Sequence, residues 1–144
     1  MIEQDTIKLL RECDAGIQMG IASIDDVLDY THSDTLKQCL AECKNQHIQM
    51  KEEIKILLEK YHDEGKASNP IAQSMSWSKS RVKLAMNKSD QTIADLMTDG
   101  SNMGVKSLHK YLNQYEKAEK NAKEMAKQII EIEEKLRSEV AEYL

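Results

Sequence analysis

The chain has 144 residues, enough for one domain that buries roughly two-thirds of the surface its unfolded form would expose, and its 40% apolar content is too high for a disordered chain. Twenty Lys and Arg against 25 Asp and Glu leave a net charge of −5, which lacks the electrostatic footprint of a nucleic-acid binder. No apolar run is long enough to span a bilayer, the N-terminus shows no signal-peptide core, and an odd count of three Cys argues against a disulfide framework, so a reducing cytoplasmic setting is expected.

Five Gly and one Pro provide little punctuation, and the chain lacks Phe while carrying eight Met. With abundant Lys, Glu, Leu, Ile and Ala, this composition predicts an all-α fold of long helices. The first spans about 5–30, with Ile7, Leu10, Asp14, Ile17, Ile21, Ile24 and Leu28 on one stripe at spacings of three and four. Thr31–Asp34 supplies turn and capping chemistry. A second helix follows over 34–63, its stripe running through Leu36, Leu40, Cys43, His47, Met50, Ile54, Leu57 and Tyr61.

The clearest break precedes Asn69-Pro70, a helix cap followed by Pro at the first helical position, and predicts a short helix over 70–87. Another polar cluster, Asn87-Lys88-Ser89-Asp90, opens a helix over about 90–115. The last stripe is Ala118, Ala122, Met125, Ile129, Ile132, Leu136, Val140 and Tyr143. Such helices are roughly 40 Å long, the proportions of a bundle.

Segments Gly16–Leu28 and Gly100–Leu112 align without a gap. They are identical at both glycines, at Met19 and Met103, Ser23 and Ser107, and Leu28 and Leu112. The repeat predicts a single domain over 1–144: a hairpin at 5–63, a crossover at 64–89 holding the short helix, and a second hairpin at 90–143. It also predicts a turn near Tyr115–Ala118, the counterpart of Thr31–Asp34. Against that stands the absence of Gly and Pro between Val105 and Leu144, which would permit one continuous helix and an elongated coiled-coil adaptor.

Gly16 with Gly20, and Gly100 with Gly104, each share a helix face, where a missing Cβ admits a neighbouring helix or a bulky side chain such as Trp77. Ser76-Trp77-Ser78-Lys79 and Ser80-Arg81-Val82-Lys83 match the S-x-x-K nucleophile spacing, but no companion motif accompanies them and catalysis is not expected. Asp14 and His47 occupy core stripes and should meet within about one helical turn. One reading makes Asp14, Cys43 and His47 ligands of a single transition-metal ion. The favoured one makes Cys39 and Cys43 small core residues and His47 a hydrogen-bonded core histidine. Glu131, Glu133 and Glu134 read as solvated surface beside lysines.

Together with the stretch Trp77–Ser89, the paired segments give the chain a pattern that resembles the ferritin-like superfamily, most closely its small uncharacterised bacterial members. That resemblance implies an antiparallel four-helix bundle. In metal-binding relatives each hairpin supplies a Glu from one helix and a Glu-x-x-His from the next. Here His47 has Lys44 three residues earlier; Gln46–Ile54 matches Gln128–Leu136 in apolar pattern with a connection two residues shorter, so its counterpart is Ile129, preceded by Ala126; the first helix offers Asp14, and the third offers only Thr98 or Ser101. The expected function is therefore non-enzymatic: a bundle with a degenerate metal centre, no resident cofactor, and no nucleic-acid or membrane partner. It would associate with itself, as a homodimer, or with another protein. Trp77, Tyr111 and Tyr115, with Met97 and Met103, are the candidate contact residues.

Overall fold

The computed structural model describes residues 2–63 and 89–144. The short helix expected over 70–87, Trp77, both S-x-x-K matches and nearly all of the crossover lie outside these residues. Four long helices and no strand are found among them: α1 (Ile2–Leu28), α2 (Asp34–Glu59), α3 (Asp90–Gln114) and α4 (Lys120–Val140), followed by a 3₁₀ turn at Ala141–Tyr143. No helix among the described residues is long and apolar enough to cross a membrane.

Two of the helix starts follow directly from local chemistry. Ser33 and Ser89 have extended backbones, and their hydroxyls accept from the amides of Leu36 and Thr92, each at 3.2 Å. The end of α2 falls earlier than its apolar stripe suggested. His62 takes a left-handed conformation (φ 58°), the amide of Asp63 bonds back to the Leu58 carbonyl, and that of His62 to Glu59. This is a Schellman arrangement, in which a histidine occupies the position that glycine usually fills.

The α3–α4 break falls where the repeat placed it. Helix α3 ends at Gln114, Tyr115 leaves the helical region (φ −105°, ψ 52°), and α4 begins at Lys120. The continuous rod that the periodicity permitted does not form.

Arg11 engages Asp63 with two hydrogen bonds, whereas Asp25 pairs with Lys44, so residue numbers rise along α1 as they fall along α2. In the same way Gln91 reaches Leu144 and Asn102 reaches Arg137. Helix α1 packs on all three other long helices, while α2 and α3 scarcely meet.

Each interhelical turn is held by side chains of the other helix pair. Asp90, on α3, accepts from the amides of His32 (2.8 Å) and Ser33 (2.9 Å) in the first turn. In the second turn, the Glu119 amide donates to Thr6 Oγ1 (2.8 Å) and that of Lys117 to Asp5 (3.1 Å), both on α1. These turn amides would otherwise lack protein partners, so the pairs are joined by polar bonds at both ends of the bundle.

The apolar interior is divided into two lobes. One gathers Leu9, Leu10, Cys13 and Ile17 with Met50, Ile54, Leu108, Ala126 and Ile129. The other gathers Ile24, Val27, Leu36, Leu40 and Cys43 with Ile93, Met97, Leu136 and Val140. Met97 thus belongs to the core (6% exposed) and not to the outer patch expected of it, while Met103 is open to solvent. Its place in the stripe with Ile93 and Ala94 decides this. Asp90→Ala removes the acceptor for two turn amides and is expected to cost about 1–2 kcal/mol, read by urea denaturation.

Candidate functional site

Between the two lobes the interior is polar. His47, on α2, is 1% exposed. Its Nδ1 lies 2.8 Å from the Cys43 carbonyl oxygen, and its Nε2 lies 2.8 Å from Oε1 of Glu133 on α4. A carbonyl can only accept, so Nδ1 carries a proton, and the carboxylate opposite Nε2 calls for a second. The ring is an imidazolium in a buried ion pair. Burial works to lower its pKa, but hydrogen bonds to Cys43 and Glu133, with the Glu133 charge, outweigh that and raise it to about 10.

The glycines explain how the ring fits. A Cβ on Gly20 would stand 2.7 Å from Nε2 and 2.8 Å from Cδ2 of His47, so α1 approaches the imidazole there only because residue 20 has no side chain. Gly104, its counterpart in the repeat, faces Glu133 at an ordinary contact distance of 3.8 Å. Gly16 and Gly100 face open space. The close approach expected of the glycines is therefore real at Gly20, and its occupant is His47.

The sequence-derived candidates are only partly assembled. Cys43 Sγ stands 3.6 Å from His47 Nδ1, so these two are neighbours. Asp14 is buried and accepts from Gln18 at 2.9 Å, but it lies six residues, roughly 9 Å of helix rise, from the Gly20 that adjoins His47. The first turn sets this register, and it leaves Asp14 further along the bundle than the expected single turn. Thr98 Oγ1 and Ser101 Oγ, the third-helix candidates, are buried without a hydrogen-bond partner in the described structure. Among the described residues no three His, Cys, Asp or Glu side chains are grouped so as to hold a metal ion.

The partner that sequence reasoning missed is Glu133, which the lysine-rich pattern assigned to the surface. Its side chain is only 12% exposed. A signal existed: Glu133 follows Ile129 by four residues and Ala126 by seven, and so borders the buried stripe.

The Cys13 and Cys39 thiols are poor nucleophiles. Burial pushes Cys13 up to about 12, and burial together with a hydrogen bond to Glu139 pushes Cys39 up to about 12. Tyr111 and Tyr115 stack with ring centroids 6.2 Å apart, and both pack against the first lobe, so part of each ring is spent on the interior.

Comparison of the chain with protein-family models, curated proteins and solved structures gives no match.

Two outcomes follow from this geometry. Gly16→Ala and Gly100→Ala should each raise stability by roughly 0.5–1 kcal/mol through helix propensity, whereas Gly20→Ala should lower it by about 1–3 kcal/mol, all measured by thermal melts. Because the folded pKa of His47 exceeds its unfolded value of 6.5, its ion pair stabilises fully below pH 6.5. That contribution is lost as pH rises toward 10, at up to about 1.4 kcal/mol per unit. The same denaturation series on His47→Gln should lack this component.

Proposed function

We propose that this chain is a ferritin-like bundle of two antiparallel hairpins, related by internal duplication, which works by association and not by catalysis. In this reading an ion pair stands where metal-binding relatives of that fold keep their metal. The observation that carries it is the donor set around His47: Nδ1 donates to the Cys43 carbonyl, Nε2 faces Glu133, and among the described residues no three His, Cys, Asp or Glu side chains are grouped to hold a cation there.

Further support comes from the helix contacts and the turns. The opposed numbering within α1–α2 and α3–α4, the packing of α1 and α4 each on all three other helices and the reciprocal turn clamps are what two docked hairpins would produce. Gly20 and Gly104, matched in the repeat, each border one member of the central pair. For association, α2 offers Ile48 and Ile56 to solvent and α3 offers Met103. The partner in this reading is a second copy of the chain or another protein with an apolar patch.

Elemental analysis after purification without chelator is expected to find less than about 0.2 equivalents of iron, zinc or manganese. Sedimentation across a concentration series is expected to show self-association, weakened by Ile56→Glu. Stoichiometric metal would overturn the degenerate-centre reading. A monomer at every concentration would overturn self-association.

A further inference from the structure

We infer that the His47–Glu133 pair is a register lock, which selects a single way for the α3–α4 pair to dock against the α1–α2 pair. The argument begins with what the apolar lobes leave undecided. Helix α4 presents an inner stripe of similar aliphatic residues at spacings of three and four, and such a stripe buries comparable area after a slide of three, four or seven residues.

The polar pair removes that degeneracy. A slide of seven would set Ala126 or Val140 against the imidazolium, a slide of four Ile129 or Arg137, and a slide of three Ile130 or Leu136. Five of these six are apolar and the sixth carries the same charge as the ring. Every shifted register therefore strands the buried His47 charge without an acceptor, which the interior penalises strongly. Only Glu133 answers it.

On its other side the ring presses against Gly20 too closely for any other residue. A slip of α1 that brought Ile17, Ser23 or Ile24 to that point would drive a side chain into the imidazole, and only the slip of four that brings Gly16 there would not. One side chain thus fixes the position of α4 by charge and narrows that of α1 by shape. Neither reading requires that the pair add net stability, since apolar replacements of buried ion pairs are often neutral or stabilising.

The test uses the full chain carrying His47→Leu and Glu133→Leu together, compared with Glu133→Gln alone. In the double variant the melting temperature should be unchanged or higher. Its amide NMR spectrum should show doubled or broadened cross-peaks from helices α3 and α4, as several registers become populated. Glu133→Gln keeps an acceptor for Nε2–H and should retain one sharp set at a lower melting temperature. A double variant with one sharp set would overturn the proposal. So would a double variant that fails to fold, since the pair would then supply stability and not choice. Multiple sets in Glu133→Gln would overturn the hydrogen-bond basis of the lock.

Discussion

A protonated imidazole in the middle of a largely aliphatic bundle is the constraint around which the rest of this structure is arranged. Removing a cation from water costs several kcal/mol even after relaxation, so His47 is tolerable only with both nitrogens satisfied and the neighbouring helix held close. The Cys43 carbonyl satisfies one, Glu133 the other, and Gly20 permits the approach. Each of those three comes from a different constraint: a helical i−4 carbonyl, an acid on the facing helix, and a glycine whose helix-propensity cost of about 1 kcal/mol is otherwise unexplained.

This polar waist also accounts for the two-lobed core. The fully buried residues of one lobe end at Ile17, Met50, Leu108 and Ile130 and those of the other begin at Ile24, Cys43, Met97 and Leu136, with the partly buried Ile132 packed against both. The turn clamps at the two ends then couple the lobes. Asp90 secures one turn and Asp5 with Thr6 the other, so neither helix pair completes its own backbone hydrogen bonding without its neighbour. Cys13 and Cys43, in contrast, behave as small core residues, and Cys39 packs at the edge of the second lobe. Burial holds the Cys13 and Cys39 thiols in the protonated form at neutral pH, which removes them from thiolate chemistry.

Much of the scaffold was legible residue by residue. The stripes predicted the buried faces, Ser33 and Ser89 lay within the polar clusters expected to start helices, and the repeat located the break after Gln114 although no Gly or Pro marks it. The errors have physical causes. Glu133 was read as surface because lysine and glutamate neighbours make it look like a solvated i,i+4 pattern, while its borderline position on the stripe shows only when α2 lies opposite. The stripes put Asp14 within about one turn of His47, but the register set at the first turn brings Gly20 against the ring and leaves Asp14 roughly 9 Å further along α1. Helix α2 stops at Glu59, short of the expected 63, because His62 turns the chain in a left-handed conformation that no Gly or Asn announces in the sequence.

By itself, then, the order of residues determined the all-helical class, the helix faces and most of the boundaries, since these rest on interactions within a few residues of each other. Which glycine the buried histidine meets on α1, and which acid answers it on α4, were decided only in the folded chain. Those choices depend on groups as far apart as His47 and Glu133, whose energies exist only once the helices are in contact.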